Sequence, residues 1–177
     1  MHRLMDDLKA SAQDILTHLD LYGPDFDDTP RRFAATLIEL TQKEKPKMTT
    51  FPLEGKAGMI LIKDYITWSL CPHHLLPVRY TFRIGYIPEK VVLGLSKRCR
   101  IADWSMSKLP LQEEVPALIC DILEQEIKPK GCGVLVHGEH LCMQMRGVQS
   151  ENTKAVSTGL RGCFLTEMDC RNEFLTL

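Results

Sequence analysis

The sequence predicts an α+β protein built on a mostly antiparallel sheet. Two observations carry this. Apolar residues recur at helical spacing near the N-terminus, then switch from about residue 57 to branched and aromatic runs of strand character. The strand segments also come in two groups, separated by one pair of helical segments. That order suits hairpins rather than βαβ crossovers.

Residues 3–19 place Leu4, Leu8, Ala12, Ile15 and Leu19 on one helix face. YGPDFDD is a turn. Asp28 or Thr29 then caps a second helix with Pro30 at its first position, where a missing N–H costs nothing. Its apolar face is Phe33, Leu37 and Leu40, and KEKPK ends it. These segments form an N-terminal helical region, residues 1–56, ahead of a core over residues 57–177 within one domain overall. MILIKDYITWSL, VRYTFRIGYIP and VVLGLS are β segments, with IPEKVV a tight hairpin connection. Ser96 suits the N-cap of a helix through about residue 107. Pro110 opens another helix, in which Leu111, Val115, Ile119 and Leu123 belong to the buried stripe and Pro116 sits early. After the turn KPKGCG, the segments GVLVHGEHLCMQMRGV and AVSTGLRGCFL are two further strands.

The totals narrow the function. The 177 residues are 44% apolar and 25% charged, the profile of a globular chain with a real core. A net charge of −1 gives no basic excess for a nucleic-acid groove or a membrane surface. No apolar run approaches the roughly 20 residues that span a bilayer. The N-terminus MHRLMDDLKA carries early acids, unlike a signal peptide, so a cytoplasmic protein is expected. The cysteines number seven, irregularly spaced, which argues against a disulfide framework.

Residues 71–74 read CPHH, enough to start a metal site and too few to finish one. Further on, HLCMQMR at 140–146, read as a strand, puts His140, Cys142, Gln144 and Arg146 on one face and apolar residues on the other. Cys71, His74 and Cys142 then make a two-thiolate, one-imidazole set that suits zinc and leaves the fourth position for water. His73 and His140 remain as proton carriers. A closed zinc site using one of those histidines, or no metal at all, fits the same spacing. Lys97 and Arg100 share a helix face near an N-terminus, an arrangement that favours phosphate; a surface charge pair is the simpler reading. In LQEE at 111–114, a carboxylate near a helix start can accept the paired N–H donors of guanine, or simply complement the helix dipole.

Together these fragments resemble the GTP cyclohydrolase I family. The pattern is TPRRFA at 29–34, CPHH at 71–74, GYIP at 85–88, GLSKRCR at 94–100, LQEE at 111–114, HLCMQMRGV at 140–148 and RNEFL at 171–175. The resemblance implies a tunnelling fold, in which sheets from several subunits close into a barrel with helices outside. It also implies a homo-oligomer, a decamer of two stacked pentamers, with active sites between subunits. Residue by residue it implies zinc on Cys71, His74 and Cys142, catalytic roles for His73, His140 and Ser96, and guanine recognition at Gln112 and Glu113. The triphosphate falls to Lys97, Arg100, Arg146 and a neighbouring subunit's Arg32. The implied reaction is hydrolytic attack at C8 of GTP with N7 protonated by an imidazole, loss of formate, and rearrangement to 7,8-dihydroneopterin triphosphate. The chain departs from the family at Pro72, where the family usually carries glutamate. Alternatives are a relative that stops at an intermediate or takes another purine nucleotide, and a non-catalytic nucleotide- or pterin-binding assembly.

Overall fold

A computed structural model describes residues 2–177, and the chain divides into two compact units between Lys43 and Glu44. In the first unit, α1 (His2–His18) packs on α2 (Thr29–Thr41). The helices are those the periodicity predicts, but their inward phase is shifted. Ala12 and Leu16 are buried on α1 while Ile15 is exposed; Pro30 and Ala34 are buried on α2 while Phe33 is exposed. Ile15 and Phe33 instead line a shallow groove with Ala12, Leu16 and Thr29. Asp28 holds the N-cap position of α2, yet its carboxylate caps nothing. It takes hydrogen bonds from Arg31 Nε and Nη2, both at 2.6 Å, and from Arg32 Nε at 2.9 Å.

The second unit holds a four-stranded antiparallel sheet in the order β2 (Ile60–Leu70), β3 (Pro77–Ile87), β5 (Gly131–His140), β6 (Ala155–Gly162). A separate two-stranded ladder pairs β1 (Thr50–Pro52) with β4 (Val91–Leu93). IPEKVV is therefore not a hairpin. Both edges of β3 are taken, by β2 and by β5, so β4 has no place beside it and pairs with β1 instead.

The alternation along β3 sends Val78, Tyr80, Phe82, Ile84 and Tyr86 to one buried face. They form a single core with β5 and with the helices α3 (Leu95–Met106) and α4 (Val115–Ile127), through residues such as Ile101, Met106, Ile119 and Leu123. Fully burying an apolar side chain of this size contributes about 1.5–3 kcal/mol. Two helix starts differ from the sequence reading. Gly94 is the N-cap of α3, so Ser96 lies inside its first turn. The helix α4 begins at Val115 rather than Pro110, which puts Pro116 in its first turn; a start at Pro110 would place that ring where it removes a hydrogen bond and clashes with the preceding turn.

The segment 140–146 is also not a strand. The strand β5 ends at His140, and a short helical turn, α5 (Leu141–Gln144), follows. The reason lies across the ladder. His140 pairs with Val78, and the next position on β3 is Pro77, which has no N–H to offer. At the other end, Gly162 at φ +57° stops β6 and turns the chain into α6 (Cys163–Thr166) and α7 (Met168–Thr176). Phe174 of α7 is fully buried against Phe164, ring centroids 5.2 Å apart.

Candidate metal centre and catalytic cleft

The ends of two strands build the site. Cys71 follows β2 and opens a tight loop to β3. That loop is closed by Cys71 N–H donating to Leu76 O and Leu75 N–H donating to Cys71 O, both at 2.8 Å, with Leu75 at φ +52°. The loop buries the Cys71 thiol and leaves His73 and His74 exposed. His140 closes β5, and the helical turn α5 carries Cys142 back toward Cys71. Gln112 and Glu113 come from the turn ahead of α4. These residues line one cleft of about 280 Å³.

The donor atoms of Cys71, His140 and Cys142 lie within 4.8 Å of one another, the one such cluster found among the described residues. His73 Nδ1 stands 3.8 Å and His74 Nδ1 3.7 Å from Cys71 Sγ. Arg146 Nη1 donates to His74 Nε2 at 3.2 Å, which puts the proton of a neutral His74 on Nδ1. His140 Nε2 is 2.8 Å from Gln112 Oε1, and the ring meets Tyr80 edge-on, with centroids 5.7 Å apart.

The electrostatics suit a cation. Burial, then the neighbouring Cys71, pushes the Cys142 thiol above its ordinary value. Burial raises the Tyr80 phenol too, helped by both thiols. Burial lowers the His140 imidazole, with Glu113 opposing and His73 adding to the shift. Two nearly buried sulfurs and an imidazole thus share a space where negative charge is costly without a positive partner. A thiolate-binding divalent ion fits that donor set.

The structure brings together Cys71, His73, His74, Gln112, Glu113, His140 and Cys142. The trio with converging donors contains His140, where the resemblance implies His74. Arg146 is exposed and reaches His74. Ser96 and Arg100 are exposed on α3, Lys97 is half-buried there, and none of the three lines the cleft. Arg32 belongs to the N-terminal unit and is paired with Asp28. Sequence reasoning missed Tyr80. Its inward phase on β3 was legible, but its place beside His140 depends on the β3–β5 register, which sets Tyr80 against Gly138.

Comparison with known proteins identifies the family. The sequence profile of GTP cyclohydrolase I matches residues 8–177. A protein named GTP cyclohydrolase 1 from Aquifex aeolicus is 42% identical over 151 residues, covering 85% of this chain and 82% of the relative. One of the same name from Chromohalobacter salexigens is 37% identical over 155 residues, covering 85% and 84%. A third, from Neurospora crassa, is 33% identical and covers 98% of this chain but 58% of its own length. Among solved structures, the apo archaeosine synthase QueF-Like superposes with a TM-score of 0.51 at 16% identity, covering 61% of this chain and 97% of that one. That likeness speaks to the fold alone, an α+β tunnelling fold. No helix of the described residues is long and apolar enough to cross a membrane. With a profile match over nearly its whole length and the CPHH and HLC segments meeting in one cleft, the chain belongs to the GTP cyclohydrolase I family.

Proposed function

We propose that the protein catalyses the GTP cyclohydrolase I reaction: hydrolytic opening of the guanine imidazole ring of GTP, release of formate and rearrangement to 7,8-dihydroneopterin triphosphate. The observation that carries this reading is the meeting of the Cys71–His140–Cys142 donor cluster with His73 and Glu113 in one cleft.

Cys71, Cys142 and His74 would hold zinc, which when bound supplies Lewis acidity and lowers the pKa of water to about 7. A second reading, favoured by the converging trio, makes His140 the third ligand. Glu113 accepts the N1–H and exocyclic amine of guanine and so fixes the purine's orientation. His73 handles protons at the imidazole ring, where protonating N7 spares the opening ring an uncompensated negative charge. Ser96 serves the later sugar rearrangement. Lys97, Arg100 and Arg146 hold the triphosphate together with Arg32 of a neighbouring subunit, so remote binding energy orients the reacting end. Lys97 and Arg100 do not line the cleft of a single chain, which supports a site completed in an oligomer, here a decamer of two stacked pentamers in the cytoplasm.

The test is metal-replete protein with GTP. Formate, and neopterin fluorescence after oxidation and dephosphorylation, are expected. Neither product across several metals overturns the reading, and GTP bound but unchanged would mark a binding protein. A product that retains the C8 carbon would mean the reaction stops early. Elemental analysis assigns the ligands. Cys142→Ala and His74→Ala are expected to lose zinc, while His140→Ala keeps it and loses turnover. Loss of zinc from His140→Ala with retention in His74→Ala selects the second reading.

A further inference from the structure

The resemblance gives Gln112 to guanine, yet both ends of its amide are engaged within the chain. Gln112 is 5% exposed. Its Nε2 donates to Ala155 O at 2.8 Å, with Ser157 Oγ at 3.5 Å, and its Oε1 lies 2.8 Å from His140 Nε2. The Ala155 carbonyl fixes which way the amide points, because the flipped amide would set two carbonyl oxygens 2.8 Å apart. With Oε1 therefore toward His140, the ring nitrogen facing it must carry a proton. Gly138 makes the arrangement possible. A Cβ at that position would overlap Gln112 Oε1 and stand 2.9 Å from His140 Nε2.

We infer that Gln112 is a positioning residue that holds His140 as its Nε2–H tautomer, so that Nδ1 is the ring nitrogen free to take a proton or a metal. The inference deepens the proposed function in its kinetic consequence. The tautomer itself does not depend on that reading.

Long-range proton–nitrogen NMR of the metal-free, ¹⁵N-histidine-labelled full chain reads the tautomer, at a pH where the ring is neutral. The resonance is assigned by its loss in His140→Gln. The wild type is expected to show the Nε2–H pattern. Gln112→Leu is expected to give a mixture of tautomers. Gly138→Ala crowds Gln112 Oε1 first, then His140 Nε2 at 2.9 Å and Tyr80 Cε1 at 3.0 Å, so it breaks the same contact should Gln112→Leu not fold; an unchanged His137 signal reports an intact sheet. A wild-type Nδ1–H pattern overturns the inference, as does an unchanged pattern in every folded variant of the two. In GTP turnover, Gln112→Leu is expected to lower kcat about tenfold to a hundredfold, with KM within about twofold. A rise in KM at constant kcat would instead return Gln112 to guanine recognition. A wild type with the Nε2–H pattern and no turnover would strike the proposed function and leave the positioning role standing.

Discussion

Replacing Arg98 by methionine should stabilise the protein. Arg98 lies on the inward face of α3 and is fully buried. Its Nη1 donates to Ile60 O at 3.0 Å, and the guanidinium sits 5.3 Å from the centroid of the Tyr86 ring. Its Nε and Nη2 have no hydrogen-bond partner. Burial accordingly pushes the guanidinium below its ordinary value, against the pull of Tyr86 and Cys99. Each unsatisfied buried donor costs about 1–3 kcal/mol, and more on a charged group. Against the two of them stand one charge-assisted hydrogen bond, about 1.5–3 kcal/mol, and a desolvated cation–π contact of about 2 kcal/mol. Methionine keeps most of the apolar stem and removes the charge. With both unpaired donors at the upper end of their range, because they belong to a charged group, the balance is a gain of about 1–2.5 kcal/mol, within the range seen when buried charges give way to apolar residues of similar volume. Urea melts at matched protein concentration measure it as a higher midpoint at unchanged slope. Arg98→Lys, which keeps the charge but loses the reach to Ile60, should destabilise. A loss of more than about 1 kcal/mol in Arg98→Met would refute the reasoning, because it would mean the guanidinium has a compensating acceptor.

Gly159→Ala should destabilise by about 1–3 kcal/mol, because its Cβ would stand 2.8 Å from Pro116 C and 2.9 Å from Pro116 O, backbone atoms at the start of α4 that cannot swing aside. Gly58→Ala, with nothing within 4 Å of its Cβ, is the control, and equal midpoints in denaturant would dismiss the contact. Asp28, held by hydrogen bonds from Arg31 and then Arg32, should titrate at about 2 rather than 3.8. A depressed folded-state value means that its contribution is complete above about pH 4 and fades as pH falls toward 2. Carboxyl NMR should show Arg31→Ala returning the midpoint toward the ordinary range, and a wild-type midpoint already there would show that the pair does not persist in solution.

What was legible in the sequence was local. Both N-terminal helices, α3, and the strands of the main sheet follow from periodicity, although neither expected side-chain cap forms. What escaped reading depended on partners distant in sequence. Nothing near IPEKVV says that β5 will occupy the free edge of β3 and send β4 to β1. Nothing near HLCMQMR says that Pro77 stands across the ladder. Arg98 is different: Arg98, Ile101, Ala102 and Ser105 are all buried, at helical spacing i, i+3, i+4 and i+7, so its inward position was readable beside the outward-tending Lys97 and Arg100. At the cleft, Cys71, Cys142 and the histidines were legible as types, but which imidazole meets which sulfur was not, because that is set where two strands end.

That placement explains why the site can be both rigid and open. On the outer side of the same strand end, Glu139 takes Arg79 of β3 at 3.0 Å and Lys154, just ahead of β6, at 3.2 Å. Three neighbouring segments are thereby tied together one residue before the donor cluster. Immediately after, the ladder stops for want of an N–H at Pro77, and the backbone turns. Had it continued extended, Cys142 would have advanced nearly 7 Å along the strand from His140, at roughly 3.3–3.4 Å per residue. A helical turn rises only about 1.5 Å per residue, and so keeps Cys142 close to His140 and Cys71. The same-face alternation read from HLCMQMR pointed to a shared site by a geometry the chain does not use. The convergence comes instead from ending the strand, so a substitution that restored the N–H at position 77 and drew β5 onward would be expected to scatter the donors while leaving the core intact.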